Sequence, residues 1–257
     1  MSRLEDDLAA AVRDAGQRIA AASRVTIMTG AGISAASGVP TFRGSGGLWR
    51  SFRAEDLATP DAFDRDPRLV WEWYDWRRTL IAACTPNAGH DVLALWSRRP
   101  GVTLITQNVD GLHERAGARD VIRFHGSIWH LRCADGCGGA QEDWEDLTVP
   151  LPDLPPRCRA CGGHARPGVV WFGEAIDSRI LQRSVRATAC DVFMSIGTSA
   201  VVHPAAGLIA QAKTHGAFTI EINPESTGSA PYLDLALSLP AEVALPAMDA
   251  AVNASLD

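Results

Sequence analysis

Short, apolar, β-prone runs recur along the chain. They cover residues 24–28, 102–106, 192–197 and 217–223, and each is closed by polar residues or glycine. Runs that stay apolar without alternation are typical of strands buried on both faces of a parallel sheet. The pattern therefore predicts a sheet whose two faces are both covered.

Helical spacing of apolar residues fills the stretches between these runs. Residues 91–98 and 205–213 show this spacing, and residues 1–22 carry leucine, valine and isoleucine on one predicted helix face. Strands that alternate with helices are characteristic of an α/β protein. We therefore predict an open, doubly wound parallel sheet that follows an amphipathic first helix.

Residues 131–168 differ in character from the rest of the chain. They contain two pairs of cysteines, nearby glycines and a proline-rich stretch at residues 150–156, but no long periodic run. Such a segment buries little apolar surface by itself, so we interpret it as a small inserted module held by a metal. The predicted large domain comprises residues 24–130 and 169–246, and the small domain also takes in part of residues 40–85.

Composition and charge exclude several classes of function. The 257 residues are 46% hydrophobic and 21% charged, which is typical of a soluble globular protein. A net charge of −6 argues against nucleic-acid binding through a large basic surface, although it leaves a local basic patch open. No apolar run approaches the roughly 20 residues that span a membrane. The acidic N-terminal stretch lacks the apolar core of a signal peptide, so we predict a cytoplasmic protein.

Cysteine spacing indicates a metal site. Four of the cysteines form two close pairs, which are Cys133 with Cys137 and Cys158 with Cys161. Four thiolates make a closed tetrahedral zinc site, which is structural because no coordination position stays open. The first pair has one more intervening residue than is common in zinc ribbons, and a turn at Asp135 and Gly136 can absorb it; the alternative is a module that has lost its metal. We expect the two remaining cysteines, Cys84 and Cys190, to be small buried apolar side chains.

A glycine-rich turn follows the first predicted strand. Residues 30–35 read GAGISA, which fits the pattern G-x-G-x-x-G/A, and Ser37 is a candidate start of a helix. Glycines in such a turn let the backbone approach a pyrophosphate, whose charge the amide groups of a helix start can hold. The acidic ribose partner is missing from a strand end, since Glu55 and Asp56 lie in a loop-like region. Taken alone, an ordinary tight turn would also explain the motif.

Several further motifs occur together with this turn. Residues 30–44 (GAGISAASGVPTFRG), 106–113 (TQNVDGLH) and 124–127 (FHGS) resemble the signatures of the sirtuin family. Residues 197–199 (GTS) and 222–224 (INP) stand where that family has its later NAD-contacting segments. The chain is identified as a member of this family by a resemblance that runs from about residue 25 to 246. The resemblance implies a single catalytic region, built from a Rossmann-like NAD-binding domain with a small inserted zinc module of four cysteines.

The resemblance also implies a reaction. In sirtuins, the carbonyl oxygen of an acyl-lysine attacks the ribose carbon of NAD that bears nicotinamide, and a histidine acts as general base on a ribose hydroxyl. The products are free lysine, nicotinamide and 2'-O-acyl-ADP-ribose. His125 matches the catalytic histidine, and a neutral imidazole suits the role because its pKa lies near the operating pH.

The family pattern assigns a set of residues to NAD, the co-substrate. Gln107, Asn108 and Asp110 match the residues that line the nicotinamide and ribose pocket, although a capping turn would also use an Asn-x-Asp sequence. Phe42 matches a residue that shields the reactive sugar from water, and Arg43 one that lies near the phosphates. The full set is Gly30, Ala31, Gly32, Ser34, Phe42, Arg43, Trp49, Gln107, Asn108, Asp110, Gly197, Thr198, Ser199, Asn223, Pro224, Glu225 and Ala241.

Tyr74 and Arg77 predict the class of acyl group. They are three residues apart, so a helix presents them on one face, where a guanidinium can clasp a carboxylate and a phenol can add a hydrogen bond. Sirtuins that remove succinyl, malonyl and glutaryl groups have a Tyr-x-x-Arg pair at this place, whereas in an unrelated helix such residues usually belong to the core and its solvated edge. Two other positions agree with that class: Thr41 in place of aspartate, and Trp171 in place of phenylalanine.

The expected partners are acylated-lysine proteins or peptides, with no nucleic acid and no membrane. Residues 169–173 are expected to pair with the substrate backbone as an added strand, so that Val169, Trp171 and Phe172 contact the substrate. We expect a monomer that is NAD-dependent and preferentially removes acidic acyl groups while retaining activity on acetyl. The alternatives are a deacetylase, a protein ADP-ribosyltransferase, or a non-catalytic module that senses NAD or ADP-ribose.

Overall fold

The computed structural model describes residues 3–40, 52–138 and 143–255. The first half of the chain contains α1 (Arg3–Ala21), β1 (Val25–Thr29), a 3-10 helix (Ala31–Ser37), α2 (Ala54–Leu57), α3 (Pro60–Arg65), α4 (Pro67–Ala83), α5 (Ala88–Trp96), β2 (Val102–Thr106), α6 (Leu112–Arg115), β3 (Ile122–Arg123) and β4 (Gly126–Cys133). The second half contains β5 (Trp144–Glu145), β6 (Ala165–Val169), α7 (Ser178–Ala187), β7 (Val192–Ile196), α8 (Leu208–Thr214), β8 (Phe218–Ile222), β9 (Leu235–Leu237) and α9 (Ala241–Asn253), with short 3-10 helices at Ala205–Gly207 and Ala230–Tyr232.

Within the described residues, one sheet has six parallel strands in the order β3-β2-β1-β7-β8-β9. Strand β1 lies between β2 and β7, so that Val25 pairs with both Val102 and Val192. All five residues of β1 and of β7 are buried, as expected for strands that are covered on both faces. The chain extends the sheet in one direction through β2 and β3 and in the other through β8 and β9. This reversal confirms the predicted doubly wound topology.

Helices cover both faces of this sheet. On one face, α1, α5 and α9 share a core with β1 and β7, in which Val12, Ile19 and Met248 are buried. On the other face, α8 and the segment around Phe124 pack against Phe193. The first helix confirms the amphipathic prediction, because Val12, Ala15 and Ile19 are buried while Asp6 and Asp7 are exposed. Among the helices of the described part of the chain, none has the length and apolar character needed to cross a membrane.

A second, three-stranded antiparallel sheet has the order β5-β4-β6. It packs with α2, α3 and α4 around its own core, which includes Trp71, Tyr74 and Trp171. Strand β4 begins at Gly126, so this sheet starts upstream of the predicted insertion at residues 131–168. Consequently, the chain passes directly from the large sheet at β3 into the small one at β4.

Arg78 joins helix α4 to the small sheet. Its side chain is fully buried, and it donates hydrogen bonds to the backbone carbonyls of Ile128, Asp146 and Thr148. It also lies 3.3 Å from the Asp146 carboxylate. A buried guanidinium is tolerated only when such partners replace its hydration. Arg78 therefore fixes where α4, which carries Tyr74, lies against the sheet.

The turn after β1 corrects one sequence prediction. A helix was expected to begin at Ser37, but the 3-10 helix begins at Ala31 and ends at Ser37, where Gly38 adopts a left-handed φ of 88°. The prediction was wrong because the turn is tighter than the pattern indicated. The N–H of Gly30 donates to the Ile196 carbonyl, and the N–H of Gly32 donates to the Gly197 carbonyl. With these bonds, the 3-10 helix begins almost directly after β1.

Candidate active site

The candidate site lies at the carboxyl ends of the central strands. Gly30, Gln107, Gly197 and Asn223 directly follow β1, β2, β7 and β8. Between β1 and β7 the strand order reverses, and in open α/β sheets ligands bind in the crevice at this switch point. The structure thus brings four of the sequence-predicted segments to one edge of the sheet.

The glycines allow two loops to touch. Gly32 donates a backbone hydrogen bond of 2.8 Å to the carbonyl of Gly197. A Cβ added at Gly32 would lie 2.7 Å from the Cα of Gly197, and one added at Gly197 would lie 2.5 Å from the nitrogen of Ile33. Gly197 also has a left-handed φ of 60°. The glycine pattern therefore serves backbone-to-backbone packing at the switch point, and it keeps side chains out of this crevice.

Ser34, Asn108 and Asp110 form a hydrogen-bonded group beside the glycines. The Ser34 hydroxyl donates to Asp110 Oδ2 at 2.8 Å, and Asn108 Nδ2 donates to the Gly30 carbonyl at 3.0 Å and lies 3.2 Å from Ser34 Oγ. The other oxygen of Asp110 accepts the N–H of Leu112 at 2.9 Å. Burial raises the pKa of Asp110, although these hydrogen bonds oppose the change.

Gln107 and Asn223 both contact the loop after β7. Gln107 Nε2 donates to Thr198 Oγ1 at 3.1 Å, and Asn223 Nδ2 donates to the Thr198 carbonyl at 3.0 Å. Thr198 itself is buried. These contacts link the ends of β2, β7 and β8, so the predicted cofactor segments form one connected surface.

His125 lies between β3 and β4, on the path from the large sheet to the small one. Its Nδ1 is 3.1 Å from the carbonyl oxygen of Gln107. Because a carbonyl can only accept, Nδ1 carries the proton in this hydrogen bond, and Nε2 is left with its lone pair in the neutral ring. Burial lowers the pKa of His125, which favours that neutral form. This arrangement can accept a proton at Nε2.

A second pair of histidines lies behind this surface. His113 Nε2 is 2.9 Å from Thr29 Oγ1, and His90 Nε2 is 3.4 Å from Ser34 Oγ, with the two ring centroids 5.0 Å apart. Burial lowers the pKa of His90 to about 3 and that of His113 to about 4, so both rings are neutral at physiological pH. Sequence reasoning missed His90, because no spacing marks it; His113 at least belongs to the 106–113 motif.

Tyr74 and Arg77 lie together on one face of α4, as the helical spacing predicts. The Arg77 guanidinium is 5.8 Å from the centroid of the Tyr74 ring and 4.9 Å from that of Trp73. Burial lowers the pKa of Arg77, while Tyr74 and Asp110 act in the opposite direction. Burial also raises the pKa of Tyr74 to about 12, so its phenol is neutral. The structure therefore places a cationic side chain and a neutral phenol next to each other on α4.

The segment after β6 has fewer free donors than an added strand would need. The N–H of Val170 donates to the His125 carbonyl, that of Trp171 to Glu174 Oε2, and that of Phe172 to the Ala58 carbonyl. An incoming peptide would therefore have to pair with carbonyls of this segment, displace one of these bonds, or use Gly173 onwards. Val169 and Trp171 are buried, whereas Phe172 is half exposed.

An open cleft of about 490 Å³ lies beside Phe172. Its lining includes Glu55 and Asp56, the acidic residues that stand near the expected distance for a ribose partner. The structure places them on α2 and not at a strand end of the large sheet, and Asp56 accepts hydrogen bonds from Arg53. They therefore do not occupy the position of an acidic ribose ligand.

The remaining predicted cofactor residues lie in several different parts of the structure. Ala31 and Ser199 are half-buried in the two loops at the switch point, while Pro224 and Glu225 are exposed after β8. Ala241 is the first residue of α9, and its side chain packs into the core of the large sheet. Phe42, Arg43 and Trp49, together with Thr41, lie outside the described residues.

The four paired cysteines converge. Their Sγ atoms all lie within 4.8 Å of one another, with Cys133 to Cys161 and Cys137 to Cys158 both at 3.7 Å. Tetrahedral zinc with Zn–S bonds of about 2.3 Å requires neighbouring sulfurs about 3.8 Å apart, whereas a disulfide requires about 2.0 Å. The geometry therefore fits one structural zinc ion. Gly136 adopts a left-handed φ of 60° in the loop between the first two cysteines, which accommodates the extra residue. As predicted, the cysteines outside the cluster, Cys84 and Cys190, are buried.

Comparison with known proteins agrees with this arrangement. The model of the Sir2 family matches residues 30–204. An "NAD-dependent protein deacylase" of Aquifex aeolicus is 54% identical over 205 residues, which cover 79% of this chain and 84% of that protein. One of the same name from Ralstonia nicotianae is 48% identical over 242 residues, covering 93% of this chain and 96% of the relative. A solved Sir2 homologue in complex with NAD superposes with a TM-score of 0.85 at 43% identity, covering 94% of this chain and 92% of that one.

Proposed function

This chain belongs to the Sir2 family, and from that premise we propose that it is an NAD-dependent protein-lysine deacylase. We propose further that it prefers acidic acyl groups such as succinyl, malonyl and glutaryl, and that it also removes acetyl. The observation that carries the preference is the pairing of Tyr74 with Arg77 on one face of α4, where the guanidinium lies 5.8 Å from the centroid of the Tyr74 ring.

The crevice at the switch point fits a dinucleotide. Gly30, Gly32 and Gly197 leave backbone in place of side chains there, and Gln107 and Asn108 supply amide groups at its edge. We assign the binding of NAD to these residues. When bound, NAD supplies an electrophilic ribose carbon and nicotinamide as its leaving group.

His125 is the proposed general base. The Gln107 carbonyl holds the proton on Nδ1, so Nε2 is the atom that would take a proton from a ribose hydroxyl. Because the lowered pKa keeps the ring neutral, the base is ready at physiological pH. Asp110, held by Ser34 and Leu112, would keep the neighbouring polar surface in one orientation.

Arg77 and Tyr74 are the proposed recognition elements for the acyl group. An acidic acyl chain ends in a carboxylate, which a guanidinium and a neutral phenol can bind together through charge-assisted hydrogen bonds. An acetyl group offers no such acceptor. The difference between the two substrates should therefore appear as a difference in transition-state binding.

The test compares initial rates on matched succinyl-lysine and acetyl-lysine peptides, with and without NAD. We expect the wild type to prefer succinyl, and Arg77→Met to lower the succinyl-to-acetyl ratio about 10- to 100-fold, the range for losing a hydrogen bond to a charged group. Arg68→Met is the matched control, because it removes an exposed guanidinium from the same helix.

The outcomes separate the two parts of the proposal. Activity on acetyl alone would contradict the acyl preference and leave the family assignment intact. NAD-dependent transfer of labelled ADP-ribose to protein, with no release of free lysine, would instead favour an ADP-ribosyltransferase.

A further inference from the structure

Trp171 contacts the phenol of the proposed acyl pocket. The indole is buried, and its Nε1 donates a hydrogen bond of 2.9 Å to the Tyr74 hydroxyl. An indole N–H can only donate, so Tyr74 must be the acceptor in this contact. The two residues are far apart in sequence, and the bond joins α4 to the segment that follows β6.

The indole is held from several sides. The Arg166 guanidinium lies 3.5 Å from the ring centroid, and the Phe63 ring packs at 5.3 Å. Arg166 is in turn fixed by a two-pronged ion pair with Glu174, at 2.6 and 2.9 Å. Glu174 Oε2 also accepts the backbone N–H of Trp171. Such a planar, charge-assisted pair restricts rotation, so the direction of the indole N–H is fixed.

This bond determines what the Tyr74 hydroxyl has left to offer. A hydroxyl has one proton to donate and two lone pairs that accept. One lone pair is taken by Trp171, and no residue in the described ranges accepts the phenolic proton. The proton is therefore available to a ligand bound near Arg77, whose guanidinium lies next to the same ring.

We propose that Trp171 is a positioning residue for acidic acyl groups: by donating to the Tyr74 oxygen, it leaves the phenolic proton for the carboxylate of the bound acyl chain. This inference rests on the proposed acyl preference and adds a residue to it. Phenylalanine at position 171 would fill similar space but would provide no N–H, so the phenol could turn its proton elsewhere.

Kinetics on the two peptides test the role of the N–H group. Trp171→Phe should lower the succinyl-to-acetyl ratio of kcat/KM about three- to tenfold, the range for one neutral hydrogen bond, mainly through a higher KM for the succinyl peptide. Trp96→Phe is the matched control, since it removes another indole hydrogen bond, to Asp249, in the core of the large sheet. An equal fall on both peptides would mean that Trp171 only packs, and would overturn the proposal.

An independent measurement uses the indole N–H signals in a ¹H–¹⁵N spectrum. The Trp171 signal, assigned through its contacts with Phe63, should move in Tyr74→Phe and on addition of the succinyl-lysine peptide, and less with the acetyl-lysine peptide. This measurement does not require Trp171→Phe to fold. If the signal is unaffected by Tyr74→Phe, the hydrogen bond is absent in solution and the proposal fails.

Arg77→Met distinguishes the two levels of inference. If it lowers the succinyl-to-acetyl ratio while Trp171→Phe does not, the positioning role is wrong and the acyl preference stands. If Arg77→Met leaves the ratio unchanged, Arg77 does not bind the carboxylate of the acyl group, and the role of Trp171 fails with it.

Discussion

At the scale of single residues, backbone partners decide which atoms of the site can react. The Gln107 carbonyl assigns the proton of His125 to Nδ1, and the Gly30 carbonyl orients the amide of Asn108. The buried His90 and His113 lie behind these residues as neutral rings. Protonation of these histidines should therefore control both the activity and the stability of the protein at acid pH.

The pH dependence of activity should report the state of His125. Since burial lowers its pKa, the basic form persists below the usual histidine value of about 6.5, and activity is lost only as pH falls through the lowered pKa. In kcat/KM against pH, we expect the acidic limb below about pH 6.5. His125→Ala should reduce the rate roughly 100- to 10,000-fold, whereas exposed His215→Gln should not change it. An acidic limb above that pH would contradict this assignment.

The free energy of unfolding should fall in acid because His90 and His113 are buried as neutral rings. Unfolding lets His90 and His113 bind protons at about pH 6.5, but the folded protein resists this until about pH 3 and 4. The contribution of the two histidines to the free energy of unfolding is thus fully present above about pH 6.5 and is lost as pH falls below that value. At about pH 5, the loss is about 2 kcal/mol for each histidine. Urea unfolding of His90→Gln should show a fall about 2 kcal/mol smaller than that of wild type between about pH 7.5 and 5. Equal falls in the free energy of unfolding of wild type and His90→Gln would contradict the role of His90. Any loss of zinc in acid affects both proteins alike.

At the scale of elements, the two loops at the switch point depend on close backbone contact. Gly197→Ala would place a Cβ 2.5 Å from the nitrogen of Ile33 at a left-handed φ. We expect this variant to lower the free energy of unfolding by about 2–4 kcal/mol, through crowding and backbone strain, and to weaken NAD binding. Gly207→Ala has open space around its Cβ and should remain within about 0.5 kcal/mol of wild type in urea unfolding. Similar losses in both variants would show that the loop contact is unimportant.

The elements differ in how far the sequence predicts them. The interior strands were located to within a residue, because runs such as residues 102–106 are β-prone and contain no charged residue. Strands β3 and β9 have two and three residues, too few to form a pattern, and the tight turn before Ser37 depends on bonds to a distant loop. At the site, motifs predicted the residues that follow strands. The bonds of Trp171 to Tyr74 and of Arg166 to Glu174 depend on packing that no spacing encodes.

At the scale of the whole molecule, the cysteine cluster lies at the end of the small sheet that adjoins the site. Cys133 ends β4, and Cys158 and Cys161 precede β6, which pairs with β4 as far as Gly126 and Val169. The next residue after β6, Val170, donates to the His125 carbonyl. Loss of the metal should therefore affect His125 as well as the small sheet.

Metal analysis and chelation test this connection. We expect one zinc per chain in the purified protein, and a lower Tm together with loss of deacylation after chelation or in Cys158→Ser. Cys190→Ala, outside the cluster, should retain its zinc. An unchanged Tm after complete removal of zinc would show that the cluster does not stabilise the fold.

The position of β1 at the centre of the large sheet also determines when the protein can fold on the ribosome. This wholly buried strand ends at Thr29, but its neighbours begin only at Val102 and Val192. At about 5–20 residues per second, synthesis needs on the order of 10–30 s to proceed from β1 to β7. For that time, one edge of the emerging strand lacks its final neighbour, and apolar surface is open to other chains. Growing chains of this protein should therefore be clients of ribosome-associated chaperones until β7 has emerged.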